Sequence, residues 1–409
     1  MTADPRFFRD HPLISWMVPG EGEEALLEWL DRLSREEPSG NGIVPRRVEN
    51  LESLPSPLLF GTSDLPGYTG FLWELSRGCP FACDFCFESR GAGKVRQFSL
   101  ERIRKELEIL ARSGISQVFV LDPTFNLDRR RARSVLEMIR EAAPHIHFTF
   151  EVRSEYLNPP LAELFGEISC SVQIGLQSAH PEVLAGVNRT LDREDFRRKI
   201  RLLQESGAVY GFDLIYGLPG DSLEGFRESL EFVLDLLPNH VDIFPLSVLK
   251  GTALYDRAEE LQLQYLDTRP YTVTSSPGWT LEDLKEAGQL AEAFDLLYNR
   301  GKAVSWFHLA AENLDLAPAE LIREFAVWQE GLPGPEGEKN GELSAPELRR
   351  AFLTGQFALR DRDREGRLAA DLAAFLSEDQ EVSGEFDLEA VMELLESGVT
   401  DLSEILFFG

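Results

Sequence analysis

Cys79-Pro-Phe-Ala-Cys83-Asp-Phe-Cys86 contains three of the four cysteines in a chain of 409 residues. The spacing is C-x3-C-x2-C, and an aromatic residue, Phe85, directly precedes the last cysteine. Three thiolates on one tight loop can bind three irons of a [4Fe–4S] cluster and leave the fourth iron without a protein ligand. A small chelating molecule can bind at such an open iron.

Other uses of clustered cysteines fit this loop less well. A ferredoxin-type loop supplies four cysteines, and no fourth cysteine lies near these three. A structural zinc site needs four ligands, usually in two knuckles, and the nearest histidine, His145, is far away in sequence. A disulfide would leave one of the three cysteines unpaired. The remaining cysteine, Cys170, lies in the run Ile168–Ile174 and is expected to be a small buried strand residue.

The cysteine motif resembles the signature of the radical SAM superfamily, whose usual form is C-x3-C-x-aromatic-C. The resemblance implies that S-adenosylmethionine (SAM) binds the open iron through its amine and carboxylate. It also implies a partial (β/α)6 barrel with its reactive site at the carboxyl ends of the strands.

The chain from Gly70 onward repeats strand, loop and helix, which predicts an α/β fold with a parallel sheet covered by helices. The cysteine loop follows the first strand, and residues 68–255 are predicted to form the radical SAM core barrel. The six predicted strands are Phe71–Leu75, Gln117–Leu121, His147–Val152, Ser171–Gly175, Tyr210–Tyr216 and Val241–Leu246.

Residues 1–67 are predicted to cap that barrel with a strand at Leu13–Val18 and an amphipathic helix at Glu24–Arg35. The pattern from His11 to Glu23 resembles the end of the cobalamin-binding domain found before many radical SAM domains. The signature Asp-x-His-x-x-Gly has no match, and about 70 residues are too few for the five-stranded domain that cobalamin needs. We therefore expect a remnant of that domain and no tight cobalamin binding.

The chain after the barrel is predicted to be helical. Residues 256–330 form an extension with helices at Leu281–Tyr298 and Pro318–Gln329. A Gly/Pro-rich run opens residues 331–409, which are predicted to form a small α-rich C-terminal domain. Residues 301–409 hold 23 Asp and Glu against nine Lys and Arg, so the last quarter of the chain is acidic.

The overall composition, 43% hydrophobic and 27% charged, is typical of a globular protein. The formal net charge of −29 repels phosphate backbones and disfavours a nucleic-acid partner. No apolar run approaches the ~20 residues of a membrane span, and the N-terminus has no signal-peptide core. Few cysteines, clustered as ligands, indicate a reducing compartment, so we expect an oxygen-sensitive cytoplasmic protein with no membrane partner.

A bound SAM molecule needs polar partners, because each of its polar groups loses free energy when it is buried without one. The candidates lie at or near the predicted strand ends: Phe85, Asp122, Thr124, Glu151, Gln177, Arg189, Asp213 and Gly217.

Four of these candidates resemble the arrangement in the coproporphyrinogen-dehydrogenase branch of the superfamily. The resemblance implies that Gln177 and Asp213 bond the ribose hydroxyls. It implies that Arg189 pairs with the carboxylate through its planar guanidinium, and that Glu151 completes the polar shell.

The other four candidates rest on position. The resemblance places Asp122 and Thr124 near the methionyl amine, partly through backbone carbonyls. The common Gly-Gly-Glu of the family is absent there, and an Asx turn is the alternative interpretation of Asp122. Phe85 is expected on one side of the adenine, and the flexible turn at Gly217 on the other.

These observations predict a radical SAM enzyme that forms a 5′-deoxyadenosyl radical and abstracts hydrogen from a small-molecule or peptide substrate. The alternatives are a cobalamin-dependent radical SAM methyltransferase and, outside enzymes, an iron–sulfur scaffold or electron carrier. The enzyme needs an external electron donor such as flavodoxin or ferredoxin. The basic run Arg129–Arg133 is expected to be a solvated helix face, and a docking patch for an acidic reductant is the sharper alternative.

Overall fold

The computed structural model describes residues 13–14, 17–18, 20–35, 47–61, 65, 67–88, 94–330, 352–353 and 356. The predicted C-terminal domain therefore lies almost wholly outside the described residues. In the predicted strand Leu13–Val18, Ser15 and Trp16 lie outside them, and none of the other four residues belongs to a strand. Among the described residues, those up to Tyr210, with Gly217–Asp221 and Pro245–Thr280, form one compact unit. Gly211–Tyr216, Ser222–Phe244 and the residues from Leu281 onward form the other.

The helices and strands follow in chain order: α1 Glu23–Ser34, β1 Gly70–Trp73, β2 Ser76–Arg77, β3 Arg96–Gln97, α2 Leu100–Ala111, β4 Gln117–Val120, α3 Arg129–Ala142, β5 His147–Val152, α4 Pro159–Glu167, β6 Cys170–Gln177, α5 Pro181–Gly186, α6 Arg193–Ser206, β7 Val209–Tyr216, α7 Leu223–Leu234, β8 His240–Pro245, α8 Ala253–Asp256, β9 Gln264–Tyr265, β10 Val273–Ser275, α9 Leu281–Phe294, α10 Phe307–Asn313 and α11 Pro318–Glu330. None of the helices in the described ranges is both long and apolar enough to cross a membrane.

Six strands form one parallel sheet in the order β1-β4-β5-β6-β7-β8, which confirms the predicted α/β barrel-type fold. Strands β1 and β4, β4 and β5, and β5 and β6 pair in parallel. The predicted bounds of the strands differ from the observed ones by at most two residues. A long predicted helix is shorter than expected, since Leu281–Phe294 gives way to a π-helical turn at Asp295–Asn299.

The helices begin where polar side chains cap them. Ser99 accepts a hydrogen bond from the Arg102 amide at the start of α2, and Asp128 accepts bonds from two amides at the start of α3. Asp192 caps α6 in the same way. Such caps satisfy amides that have no partner inside the helix. These three capping residues therefore determine where the loops before α2, α3 and α6 end.

The two faces of β5 carry different chemistry. Phe148, Phe150 and Val152 are buried on the helix side, where the Phe150 ring lies 4.4 Å from that of Phe125. On the opposite face, Thr149 pairs in register with Ser171, and Glu151 with Gln173. The alternation places aromatic packing under the helices and a polar row on the inner face of the sheet.

Candidate functional site

The cysteine loop leaves the carboxyl end of β1 through a short antiparallel hairpin, β2 and β3, which sequence reasoning did not predict. Gly78, at a φ of 96°, allows the turn into the loop. Cys79 and Cys83 are buried, at 9% and 6% exposure, whereas Cys86 is half-exposed. The loop therefore places three thiols at the edge of the sheet where the reactive site of such barrels lies.

Backbone contacts hold this loop in place. The Asp84 amide donates to the Val187 carbonyl at 3.0 Å, and the Asn188 side-chain amide donates to the Ala82 carbonyl at 2.8 Å. The Leu254 amide donates to the Asp84 carbonyl at 2.8 Å. The loop is thus fixed to the turn after α5 and to the start of α8.

One ion pair adds to these contacts. Arg257 pairs with the buried Asp84 carboxylate and donates to the Gly186 carbonyl at 3.2 Å. Asp84 is 6% exposed, so its charge needs this partner. Neither residue was a candidate from the sequence, because the pair joins positions 173 residues apart.

The sulfur atoms lie among hydrogen-bond donors and positive charge. Burial raises the pKa of the Cys79 thiol above its usual value, and the Phe81 amide, the Arg153 charge and the Thr124 hydroxyl act against that rise. The Arg189 Nη1 lies 4.0 Å from the Cys83 sulfur. Cations and N–H donors beside a cysteine favour its thiolate, which is the form that binds iron.

The donor set, three thiols on one anchored loop, fits a [4Fe–4S] cluster. Within the described residues, no three His, Cys, Asp or Glu side chains converge closely enough to hold one metal ion. In a cluster, each of the three cysteines binds a different iron, so the sulfurs do not have to converge on one point. Buried thiols on one anchored loop are what such a cluster requires.

The carboxylate of Asp122 is engaged within the protein. Its Oδ1 accepts the Leu75 and Ser76 amides at 2.9 Å each, and its Oδ2 accepts the Ser76 hydroxyl at 2.6 Å. Asp122 therefore ties the end of β4 to the end of β1. The predicted position of Asp122 near the methionyl amine stays a prediction. The Thr124 hydroxyl donates to the Pro123 carbonyl at 2.8 Å and lies near enough to Cys79 to act on the pKa of that thiol.

Gln177 ends β6 in an unusual conformation. Its φ is 75°, in the left-handed region that residues other than glycine rarely adopt. The residue is 9% exposed, and its Oε1 atom has no hydrogen-bond partner among the described residues. A buried carbonyl oxygen without a donor costs free energy. A bound hydroxyl would satisfy it, which fits the ribose role predicted for Gln177.

Arg189 lines a cleft of about 240 Å³ at the ends of β5 and β6. Its Nη2 donates to the Gly175 carbonyl, which fixes the guanidinium. Burial, and then the charge of Arg153, lowers the pKa of Arg189 below its usual value. Glu155 also lines the cleft; burial acts to raise its pKa, but the Arg153 hydrogen bond and charge, with a smaller contribution from Arg189, lower it below its usual value. The cleft therefore offers a fixed cation to a carboxylate.

Arg153 is a second cation at the site that the sequence did not reveal. Its guanidinium stacks 3.8 Å from the ring centre of Phe81, in the cysteine loop, and pairs with Glu155 at 2.6 Å. The Asn126 side chain bonds both the amide and the carbonyl of Arg153. Asn126 lies two residues after Thr124 in the loop that follows β4, and this position was the sequence signal that could have identified it.

The remaining candidates stay predictions. Glu151 is exposed on the polar face of β5, and Phe85 is half-buried in the cysteine loop. Gly217 has a φ of 89°, so it uses the conformational freedom expected of it. Asp213 lies on β7, in the other compact unit, and is half-buried.

Two further expectations concern residues outside the polar shell. Cys170 is buried, its sulfur lies 3.4 Å from the Phe165 carbonyl, and burial raises its pKa to about 12. It is a structural thiol.

In the basic run, Arg131 donates to the Leu75 and Phe98 carbonyls, and Arg129 donates to those of Glu155 and Tyr156. Two of the four arginines in this run therefore bond to the protein backbone, and the run is only in part a solvated helix face.

Comparisons with known proteins agree with this geometry. A cobalamin-dependent radical SAM methyltransferase of Streptomyces tokunonensis, TokK, is 25% identical over 304 residues, 65% of this chain and 44% of the relative. An uncharacterized methyltransferase of Pyrococcus horikoshii is 29% identical over 271 residues, 61% of this chain and 59% of the relative. The chain thus spans about half the length of these curated relatives.

A solved structure shows the same fold. The cobalamin-dependent SAM radical enzyme OxsB has a TM-score of 0.55 at 17% identity, covering 96% of this chain and 69% of that chain. The family model described as the radical SAM superfamily matches residues 73–233, which include all three loop cysteines. This superfamily uses a [4Fe–4S] cluster and SAM. Residues 73–233 therefore form a radical SAM domain.

Proposed function

We propose that this chain is an oxygen-sensitive radical SAM enzyme that abstracts a hydrogen atom from a small-molecule or peptide substrate. When bound at the three cysteines, a reduced [4Fe–4S] cluster supplies the electron that cleaves SAM to methionine and a 5′-deoxyadenosyl radical. The observations that carry the proposal are the anchored loop of Cys79, Cys83 and Cys86 and the unpaired Gln177 amide oxygen at the end of β6. The clustering of cysteines as ligands supports a reducing compartment such as the cytoplasm.

Arg189 is the residue proposed to hold the methionyl carboxylate. A guanidinium has five N–H donors, and two of its nitrogens already point at the Gly175 carbonyl and the Cys83 sulfur. The remaining N–H groups can face an anion in the cleft. Because the guanidinium is fixed by the protein, little side-chain entropy is lost when the carboxylate binds.

Gln177 is the residue proposed to recognise the ribose. Its Oε1 is an acceptor without a donor, and a ribose hydroxyl is a donor of the required kind. Asp213 is proposed to bond the second hydroxyl, and Glu151 to complete the polar shell. Phe85 and the turn at Gly217 are proposed to enclose the adenine, and the backbone around Asp122 to accept the amine.

The local charge favours these ligands. Arg153 and Arg189 carry two positive charges beside the cysteines, and Glu155 compensates one of them. The net positive field stabilises thiolates and an incoming carboxylate. The Phe81 amide and the Thr124 hydroxyl also favour the thiolate form of Cys79.

Cobalamin-dependent methyl transfer is the second candidate, and the relatives favour it. TokK is a cobalamin-dependent radical SAM methyltransferase, and the Pyrococcus horikoshii relative is also named a methyltransferase. The shared region covers 44% and 59% of those proteins, so the relatives' activities are weaker support than the site itself. A scaffold or electron carrier is the non-enzyme alternative, and the SAM-type pairing groups at Gln177 and Arg189 argue against it.

The experiment that separates these functions is anaerobic turnover. The reconstituted protein is reduced with dithionite in the presence of SAM, and 5′-deoxyadenosine, methionine and S-adenosylhomocysteine are quantified by liquid chromatography. The proposal expects 5′-deoxyadenosine and methionine in equal amounts, and none from the Cys83→Ala variant. S-adenosylhomocysteine that forms only with added methylcobalamin would favour methyl transfer. A protein with a full cluster that leaves SAM intact would be a scaffold or carrier.

A further inference from the structure

A short turn connects the cysteine loop with the protein surface. Residues Ser154–Tyr156 form one turn of 3-10 helix after β5. The Tyr156 ring lies 6.2 Å from that of Phe81, and Phe81 stands between Cys79 and Cys83 in the loop. Both rings are half-buried. The aromatic pair therefore runs from the cysteines towards solvent.

Cations surround the outer end of this pair. Arg129 donates to the Tyr156 and Glu155 carbonyls at 2.8 and 2.9 Å, and its guanidinium lies 5.9 Å from the Tyr156 ring centre. Lys199 donates to the Leu157 carbonyl of the same turn. Arg130 and Arg198 are their exposed neighbours on α3 and α6. We call the four residues Arg129, Arg130, Arg198 and Lys199 the basic rim patch.

The members of the patch act on each other electrostatically. Burial lowers the pKa of Lys199 below its usual value; Asp195, which pairs with Arg198, opposes this effect, and the charges of Arg129 and Arg198 add to it. Helices α3 and α6 together carry ten basic side chains against five acidic ones. The whole chain has 41 basic and 70 acidic residues, so these two helices oppose the general charge.

We propose that the basic rim patch docks an acidic one-electron donor protein, a reduced flavodoxin or ferredoxin, and that Tyr156 and Phe81 link it to the cysteine loop. The proposal rests on the proposed function, because it needs a cluster at Cys79, Cys83 and Cys86. One electron leaves the donor's cofactor and one enters the cluster, and no bond is made or broken. Complementary charge speeds such an encounter about 10- to 1,000-fold at low salt.

The geometry favours an electron carrier over RNA as the occupant. Arg129 and Lys199 already donate to backbone carbonyls, so few N–H groups remain for a run of phosphates. The patch is also small, in a chain of net charge −29. An electron donor needs only a local contact near the cluster, and Phe81 and Tyr156 provide it.

The test reverses the two exposed charges and leaves the structural ones in place. Arg130→Glu with Arg198→Glu is compared with a matched control, Arg104→Glu with Arg112→Glu, on exposed positions of α2 and its C-cap. Stopped-flow absorbance follows cluster reduction by flavodoxin hydroquinone at several salt concentrations. Dithionite, which needs no docking surface, is the second reductant for every variant.

The patch variant should be reduced by flavodoxin about tenfold or more slowly at low salt, with the difference disappearing at high salt. Its reduction by dithionite should match that of the control. Equal flavodoxin rates for the patch variant and the control would overturn the docking site alone. A salt-dependent shift with tRNA, abolished by the patch reversal, would overturn it in favour of RNA. A wild-type protein that dithionite cannot reduce would overturn the proposed function and the docking site with it.

Discussion

At the scale of single residues, Gln177 has two features that each destabilise the folded protein. Its left-handed backbone costs about 1–2 kcal/mol for a residue with a Cβ, and its buried amide oxygen lacks a donor among the described residues. Strain of this kind persists where the surrounding structure imposes it, which is frequent at ligand sites. The sequence made Gln177 a candidate for a ribose hydroxyl, but it could not show the backbone strain.

Gln177→Gly should therefore weaken SAM binding without destabilising the fold. Glycine relieves the left-handed strain but adds about 0.5–1 kcal/mol of chain entropy, so the free energy of unfolding should change little. Loss of one hydrogen bond, about 0.5–1.5 kcal/mol, should raise the SAM dissociation constant about three- to tenfold in anaerobic calorimetry. Gln173→Gly is the matched change on extended backbone of the same strand, and it should lower stability by about 1 kcal/mol. Unchanged SAM affinity in Gln177→Gly would remove its ribose role.

The loop cysteines should behave as one unit, and Cys170 should not belong to it. Replacing Cys79, Cys83 or Cys86 with alanine removes an iron ligand and should abolish the cluster, measured as iron and sulfide per protein and by absorbance. Cys170→Ala should keep a full cluster, because that thiol is buried against the Phe165 carbonyl. Iron lost from Cys170→Ala but retained in Cys86→Ala would show that the ligand set is wrong.

At the scale of the elements, the cysteine loop depends on contacts that are distant in sequence. The Asp84–Arg257 pair fastens it to α8, and Asn188 fastens it to the turn after α5. Reduction and cleavage chemistry needs the three thiols in fixed positions, so these contacts contribute to function through geometry.

Arg257→Ala should loosen the loop. It leaves the buried Asp84 carboxylate without its cation, at a cost of roughly 1–2 kcal/mol once solvent screening of the half-exposed arginine is allowed for. We expect faster loss of iron to a chelator, and partial recovery in the Asp84→Asn, Arg257→Ala double variant. Arg112→Ala, which removes an exposed arginine at the end of α2, should leave the iron-loss rate unchanged. Equal rates in Arg257→Ala and Arg112→Ala would contradict this role.

The turn before α1 is fastened to the cysteine hairpin by Glu21. Its carboxylate accepts Arg96 and the Val48 amide and pairs with Arg77, and the Arg96 hydrogen bond leads the effects that lower the pKa of Glu21 to about 2. Because the ordinary value is 4.5, the stabilisation is complete above about pH 5 and is lost as the pH falls towards 2. This shift corresponds to at most about 3 kcal/mol.

Glu21→Gln should therefore be less stable than the wild type at pH 7, by up to about 3 kcal/mol, and the gap should narrow below pH 5. Thermal unfolding of both proteins between pH 7 and pH 3 measures it. Glu24→Gln changes an exposed carboxylate in α1 and should leave stability unchanged across this range. A gap that stays constant down to pH 3 would mean that the Glu21 charge contributes nothing.

At the scale of the whole molecule, the sequence predicted the repeating α/β order because long strands and capped helices leave periodic signals. It missed β2 and β3, which have two residues each and carry no period. It missed α4 although Asn158 and two prolines mark its start, since the segment is short. It predicted the cysteine ligands from spacing, but Arg153, Asn126 and Arg257 reach the site through tertiary contacts that no local pattern records.

The polypeptide of this sequence should not bind cobalamin tightly, even though two of the proteins it resembles are cobalamin-dependent. Cobalamin needs a five-stranded doubly wound domain, and the described part of residues 1–67 contains one α-helix, Glu23–Ser34, and no strand. The protein is reconstituted with hydroxocobalamin, desalted, and examined by absorbance, with thermally unfolded protein as the control for nonspecific carry-over. We expect no more corrinoid on the folded protein than on that control. One equivalent of corrinoid retained by the folded protein alone would refute the prediction and move cobalamin-dependent methyl transfer ahead of hydrogen abstraction as the proposed function.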